Sequence, residues 1–145
     1  LIVGQIGLDY QPQADERRQS LRTALAPDLP AELCDTERLA RAVANLVENA
    51  LKYTPDGSHI EIATHRRGQF IEITVTDDGP GISPADLPRI FERFYRAEAH
   101  RPVRGGAGLG LAITRKIVEA HGGTIQAHSM AGRGATFSIY LPLPS

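Results

Sequence analysis

Two asparagines and a lysine share one face of a predicted helix within NLVENALKYTP, residues 45–55. At about 100° per residue, Asn45, Asn49 and Lys52 fall within roughly 60° of one another. A solvated face is one interpretation, but each asparagine costs up to ~0.7 kcal/mol of helix propensity relative to alanine. Two amide oxygens and an ammonium group at this spacing could instead bind a hard cation and a phosphate.

A second candidate segment is DDGPGI, residues 77–82, which directly follows a run with strand-like alternation. A tight turn is one interpretation, because Asp, Gly and Pro are the residues that turns use. A ligand pocket is the other. Gly79 and Gly81 would let the backbone approach a flat ligand, and Asp77 could accept a hydrogen bond from an exocyclic amine such as that of adenine.

The third segment is RGGAGLGLAI, residues 104–113, with four glycines in six residues before a predicted helix. Backbone amides and a helix N-terminus there could bind phosphate, and a flexible connector is the alternative. A Walker loop is excluded because Gly110 is followed by Leu111 and Ala112 rather than by Lys and Ser or Thr. A dinucleotide-binding loop is excluded because Leu111 occupies the position of the third glycine.

Apolar periodicity predicts the helices that would position these segments. One helix begins at an Asp35 N-cap and ends before Pro55, with an apolar stripe at Leu39, Val43, Leu46, Val47, Ala50 and Leu51. Another begins at Gly108, with an apolar face at Leu109, Ala112, Ile113, Ile117 and Ala120. Ser83 predicts the start of a short helix. The polar residues 11–20 could form a linker or a short helix.

Strands are predicted in pairs. Residues 21–25 and 31–34 flank a proline-rich turn, HIEIAT and FIEITVT flank HRRGQ, and TIQAH and ATFSIYL flank SMAGRG. Because these hairpins are separated by helices, the sequence favours an α+β two-layer sandwich over a doubly wound parallel sheet.

Composition limits the classes of partner and site. The chain has 145 residues, which suits one domain, and 16 basic residues against 17 acidic ones do not indicate a nucleic-acid partner. A single cysteine, Cys34, excludes an internal disulfide and a cysteine-based zinc cluster. No apolar run approaches the ~20 residues that span a bilayer, so we expect no direct membrane contact.

In their order, NLVENALKYTP, DDGPGI, FERFYR, GGAGLGLAI and GRGATF closely resemble the N, G1, F, G2 and G3 boxes of the ATP-binding catalytic domain of bacterial sensor histidine kinases. The resemblance covers about residues 35–141. It implies a Bergerat-type ATP-binding fold, in which a mixed, mostly antiparallel sheet is covered on one face by helices. ATP would lie between the helical layer and a lid at about residues 95–105.

The resemblance also implies individual roles. Asn49, with Asn45 assisting, would hold a Mg²⁺ ion bridging the phosphates, and Asn45, Lys52 and Arg96 are the predicted catalytic residues. Asp77 would read the adenine amine. The other predicted nucleotide-binding residues are Tyr53, Gly79, Gly81, Ile82, Gly106, Gly108, Leu109, Gly110, Leu111 and Thr136. Phe91 and Phe94 would anchor the lid or pack in the core.

The phosphate acceptor implied by the resemblance is a histidine, followed by an acidic residue, on a separate helical dimerisation domain of the same parent protein. None of the five histidines here has an acidic residue after it. We therefore predict a catalytic domain at residues 21–145 and, at residues 1–20, an N-terminal segment from the acceptor domain. The initial leucine is consistent with a fragment. A response regulator would be the downstream partner, and the parent would be a membrane-anchored bacterial sensor with this domain in the cytoplasm.

Three alternative functions remain. ATP hydrolases of the gyrase, mismatch-repair and chaperone classes resemble this fold, but they carry a glutamate general base where this chain has Asn45, and an amide cannot accept that proton. Glu48 is close in sequence, yet it should point about 60° away from Asn45 around the helix. A nucleotide sensor without transferase activity is the second alternative, and a protein-serine kinase, disfavoured by FERFYR, is the third.

Overall fold

The computed structural model describes residues 2–26, 37–82, 84–85, 87–92, 109–129 and 132–142. Three helices are found there: α1 (Ile2–Glu16), α2 (Glu37–Tyr53) and α3 (Leu109–Ala120). The five strands are β1 (Ser20–Ala24), β2 (His59–Arg67), β3 (Phe70–Asp77), β4 (Thr124–Ser129) and β5 (Ala135–Pro142). They form one sheet in the order β1-β2-β3-β5-β4, in which β1 is parallel to β2 and the other pairs are antiparallel. The predicted α+β class with a mixed, mostly antiparallel sheet is confirmed.

Strand alternation separates a core face of the sheet from an outer face. On β3, Ile71, Ile73 and Val75 are buried and share the hydrophobic core with residues of all three helices. The alternate residues of β3, among them Glu72 and Thr76, lie on the outer face, as the period of two requires. The helices and the apolar strand residues therefore enclose one core on one side of the sheet.

Helix α2 is the central element of the helical layer. Its predicted apolar stripe is confirmed, since all six residues from Leu39 to Leu51 named above are buried. The predicted N-cap, Asp35, lies outside the described residues. At the other end, the Leu51 and Thr54 carbonyl oxygens accept hydrogen bonds from the Arg17 guanidinium and the Gln19 amide. These side chains supply partners that the last carbonyls of a helix otherwise lack.

The predicted apolar face of α3 is wrong in part. Ile117 is buried, but Ile113 is 36% exposed and Ala120 is also exposed. Thr114 and Val118 are instead fully buried. The Thr114 hydroxyl accepts a hydrogen bond from α2, so a polar residue is accommodated in the interface between the two helices.

Several other boundaries differ from the sequence predictions. Residues 2–16, predicted as part of an N-terminal segment, form a helix whose Val3, Ile6 and Ala14 lie in the common core. The strand at β1 pairs in parallel with β2, while its predicted hairpin partner, residues 31–34, lies outside the described residues. The turn HRRGQ is shorter than predicted because β2 continues to Arg67 and pairs with Phe70.

The short helix predicted from Ser83 is, among the described residues, a 3₁₀ turn over Leu87–Arg89. Ser83 itself lies outside them.

Candidate functional site

The polar line on α2 is partly enclosed rather than fully solvated. Asn45, Asn49, Lys52 and Tyr53 are each half-buried, whereas Glu48 on the same helix is exposed. Asparagine at a solvated helical position has no compensation for its low helix propensity, but at an enclosed position its amide can bind a partner or a ligand. The burial pattern therefore supports a site along this line.

Asn45 is held from the neighbouring helix. Its side-chain nitrogen donates a hydrogen bond of 3.3 Å to the hydroxyl of Thr114 on α3. With the nitrogen engaged in this way, the amide oxygen of Asn45 remains an acceptor. The Asn49 amide forms no side-chain hydrogen bond to another described residue. Both asparagines can therefore offer a carbonyl oxygen to a cation.

Glu48 is directed away from this line. Its carboxylate accepts a hydrogen bond of 2.5 Å from the hydroxyl of Tyr10 on α1. Burial, followed by this hydrogen bond and the charge of Glu48, raises the pKa of the Tyr10 phenol well above its usual value. The prediction that Glu48 points elsewhere from Asn45 is confirmed, because the carboxylate contacts the opposite neighbour of α2.

The turn after β3 rests on the C-terminal end of α2. The Gly79 amide donates to the Asp77 carboxylate, N to Oδ1 2.9 Å, which fixes the carboxyl group at the strand end. A methyl group on Gly79 would lie 2.7 Å from Cγ2 of Thr54, so glycine allows this close packing. Gly81 has a φ of 79°, a left-handed backbone conformation that glycine adopts readily because it has no Cβ atom.

Thr54, beneath the turn, is itself fixed by its neighbours. Its hydroxyl donates to the Ala50 carbonyl oxygen at 2.7 Å and accepts from the Gln19 amide at 2.8 Å. This series of contacts, from Gln19 through Thr54 to Gly79, thus links the α1–β1 connection to the turn after β3. The sequence reasoning did not identify Gln19 or Thr54, because their partners are far away along the chain.

The loop between β4 and β5 contacts the same turn from the other side. Asp77 pairs with Ala135 in the sheet, and a methyl group on Gly134 would lie only 2.0 Å from the Asp77 carbonyl oxygen. The Gly132 amide donates to the Pro80 carbonyl oxygen at 2.8 Å. Gly134 of GRGATF therefore permits close packing against the backbone that carries Asp77, and Gly132 adds a backbone hydrogen bond to the same turn.

Thr136 is not brought to this group, contrary to its predicted place near the nucleotide. Its hydroxyl donates at 3.3 Å to the Thr76 hydroxyl, and both lie on the outer face of the sheet. Asp77 and Ala135 lie on the core face. The alternation of ATFSIYL was the available signal, because Thr136 is in phase with its polar residues and out of phase with the apolar ones.

The glycine-rich segment is described only from the first turn of α3. Leu109 and Gly110 begin this helix, and Leu111 is half-buried against the core. Gly106, Gly108, Arg96, Phe94 and the predicted lid lie outside the described residues. Ile82, at the end of the turn after β3, also packs partly against the core.

Phe91 contacts the ring of Phe137 edge to face, with centroids 6.2 Å apart. Of its two predicted roles, the structure thus supports packing against the core.

Asp78, next to Asp77, has a separate role in holding the turn. Its carboxylate accepts from the His59 backbone amide at 2.6 Å and contacts the His59 ring at 2.8 Å. The backbone hydrogen bond is the main reason that the pKa of Asp78 lies below its ordinary value. These bonds tie the end of β3 to the start of β2.

The described residues contain no group of three or more His, Cys, Asp or Glu side chains that could hold a metal ion. None of their helices combines the length and apolar character required to cross a membrane.

Known proteins resemble the chain over most of its length. Residues 34–145 match the family described as histidine kinase-, DNA gyrase B-, and HSP90-like ATPase. The sensor-like histidine kinase SenX3 of Mycobacterium tuberculosis is 44% identical over 142 residues, which are 97% of this chain and 34% of that protein. The sensor histidine kinase WalK of Bacillus subtilis is 36% identical over 136 residues, 92% of this chain and 22% of that protein.

Solved structures also resemble the chain over nearly its full length. The mycobacterial sensor histidine kinase MprB has a TM-score of 0.79 at 29% identity and covers 98% of this chain and 97% of its own. Full-length ShkA in complex with AMPPNP has a TM-score of 0.86 at 30% identity, over 99% of this chain and 30% of its own. The chain therefore belongs to the histidine kinase-, DNA gyrase B- and HSP90-like ATPase family, in which its relatives are sensor histidine kinases.

Proposed function

We propose that this chain binds Mg·ATP and donates the γ-phosphoryl group to a histidine on a separate helical domain of its parent protein. The observation that carries the proposal is the half-buried polar line of α2 next to the turn that fixes Asp77. Phosphoryl transfer depends mainly on charge neutralisation and in-line positioning, which side-chain amides, a lysine and a metal ion can provide.

At the base end of the site, Asp77 would accept the adenine amine. Its carboxyl group is oriented by the Gly79 amide and its backbone is in close contact with Gly134. A preorganised carboxylate loses little entropy on binding. A base without the amine would leave the carboxylate without this hydrogen bond, so the site can discriminate between the two bases. Tyr53 and Ile82, both half-buried, would pack against the nucleoside.

At the phosphate end, the amide oxygens of Asn49 and Asn45 fit a Mg²⁺ ion. Magnesium usually keeps several waters and takes few protein ligands beside substrate phosphates, so two amide oxygens would suffice as the protein's contribution. When bound, the ion would neutralise phosphate charge. Lys52 would contact phosphate directly, and Arg96 and the backbone of Gly106, Gly108, Leu109, Gly110 and Leu111 are further proposed phosphate ligands.

Transfer to a protein histidine is favoured over hydrolysis by the surroundings of Asn45. A side-chain amide cannot remove a proton from an attacking water molecule. The nearest carboxylate along the helix, Glu48, is engaged with the Tyr10 hydroxyl on the far side of α2. The described part of the helix therefore offers no general base toward the proposed phosphate site.

The parent protein would contain the acceptor helices and would pass the phosphoryl group to a response regulator. We place the chain in the cytoplasmic part of a membrane-anchored bacterial sensor. This agrees with the names of its relatives, which are sensor histidine kinases longer than this chain.

Incubation with γ-labelled ATP tests the proposal. The chain alone should remain unlabelled, and a fragment carrying the parent's acceptor helices should become labelled on its histidine when both are mixed. The control fragment has that histidine replaced by glutamine. Labelling of a histidine of this chain, or rapid phosphate release without an acceptor, would contradict the proposed transfer.

A further inference from the structure

Ser129, the last residue of β4, joins the two loops that flank Asp77. The Ile82 amide donates to the Ser129 hydroxyl oxygen at 2.6 Å, and that hydroxyl donates in turn to the Gly134 carbonyl oxygen at 3.0 Å. The Ser129 hydroxyl therefore accepts a hydrogen bond from a residue 47 positions away along the chain and donates one to a residue 5 positions away.

Both loops that Ser129 joins are in contact with Asp77. The loop ending at Ile82 begins at Asp77 itself and places the Gly79 amide on its carboxylate. The loop containing Gly134 approaches so closely that a methyl group there would lie 2.0 Å from the Asp77 carbonyl oxygen. The Ser129 hydroxyl closes this ring of contacts, because it fixes the separation of the two loops around Asp77.

Packing alone does not require a hydroxyl at this position. The residues of β4 that share the core-facing side with Ser129 are Ile125 and Ala127, both apolar and packed partly against the core. Ser129 is half-buried at the end of that row, where the strand enters the loop. A hydroxyl here satisfies one backbone donor and one backbone acceptor that an apolar side chain would leave without this partner.

We propose that Ser129 is a positioning residue for recognition of the nucleotide base. It acts through Asp77, by holding the turn of residues 79–82 and Gly134 at the separation that orients the carboxylate toward the exocyclic amine. This inference rests on the proposed function. It assigns base discrimination to a residue that need not touch the nucleotide.

The test compares two nucleotides by calorimetry: ATP and purine riboside 5′-triphosphate, which lacks the exocyclic amine. Ser129→Ala should bind ATP about five- to tenfold more weakly, about the net contribution of one hydrogen bond, because the displaced Asp77 carboxylate would no longer make its full hydrogen bond to the amine. The same substitution should weaken binding of the analogue less, so the ratio of ATP affinity to analogue affinity should fall. Ser129→Thr keeps the hydroxyl and should restore the preference. Ser138→Ala, the same change on the outer face of the sheet, is the matched control and should retain it.

The outcomes separate three cases. An equal loss of affinity for both nucleotides in Ser129→Ala, or no loss, overturns the positioning role while leaving the proposed function intact. Failure of the unaltered chain to bind ATP overturns the proposed function and this inference together. If Ser129→Ala does not fold at the assay temperature, Ser129→Cys, which is similar in size but a weak hydrogen-bonding group, supports or refutes the inference by the same comparison.

Discussion

Gly134→Ala should destabilise the fold more than the same change at Gly132, two residues away. Both glycines have positive φ, 80° at Gly132 and 89° at Gly134. Alanine in this conformation costs roughly 1–2 kcal/mol at either position. A methyl group at Gly132 meets nothing within 4 Å, whereas at Gly134 it lies 2.0 Å from the Asp77 carbonyl oxygen.

The magnitude follows from that contact. Side-chain Cβ atoms essentially never approach other atoms closer than 3.0 Å, so a 2.0 Å contact requires the two backbone segments to separate by at least about 1 Å. Forcing extra atoms into a packed region typically costs about 1–3 kcal/mol. We therefore expect Gly134→Ala to lower the free energy of unfolding by about 2–5 kcal/mol, against about 1–2 kcal/mol for Gly132→Ala.

Urea denaturation monitored by circular dichroism measures both values. The effect of alanine on the unfolded chain is the same in both variants, so it cancels in their difference. Gly134→Ala should also weaken ATP binding, because the displaced backbone carries Asp77. Equal destabilisation in the two variants would refute the close approach of the two loops on which this reasoning depends.

Two further predictions concern carboxylates. Asp77→Asn should weaken ATP binding about tenfold or more, measured by calorimetry, while leaving the midpoint of urea denaturation nearly unchanged. An unchanged affinity for ATP would contradict the assignment of Asp77 to the base. Asp78→Asn should lose less stability than the unaltered chain below about pH 4. Folding lowers the pKa of Asp78 from 3.8, so the stability that its carboxylate contributes is present above that pH and is lost in acid. Acid titrations of both chains test this, and identical profiles would exclude a role for Asp78. A third prediction concerns Tyr10, whose pKa is raised by folding above 10.0, so its contribution to stability is complete below that pH and declines above it. Tyr10→Phe should therefore lose less stability than the unaltered chain as the pH rises beyond 10, and a steeper loss would contradict the Tyr10–Glu48 contact.

Much of the fold could be predicted because its signals are local. The apolar stripe of α2 repeats with the helical period, and the alternation in β2, β3 and β5 repeats with the period of a strand. Each pattern identifies an element regardless of what packs against it. The five family-like segments are local signals too, since each is a short run of residues in a fixed order.

The errors occurred where a residue's partner is distant in sequence. The apolar face of α3 is misassigned because a threonine is not expected in the interface, where its buried hydroxyl has a hydrogen-bond partner in Asn45, 69 positions away along the chain. The position of Thr136 was misjudged for another reason. The resemblance implies a place near the nucleotide, whereas the alternation of ATFSIYL puts Thr136 on the outer face of the sheet.

The sequence by itself determined the type of each main element and the chemical groups available to the site, because periodicity and residue chemistry are properties of short segments. The tertiary structure decided which groups meet. It turned Glu48 toward Tyr10, placed the Asp77 turn between Thr54 and Gly134, and made Ser129 the link between two loops. The physical reason is that a hydrogen bond or a close contact depends on distances in space, and these are fixed only when separate parts of the chain pack into one core.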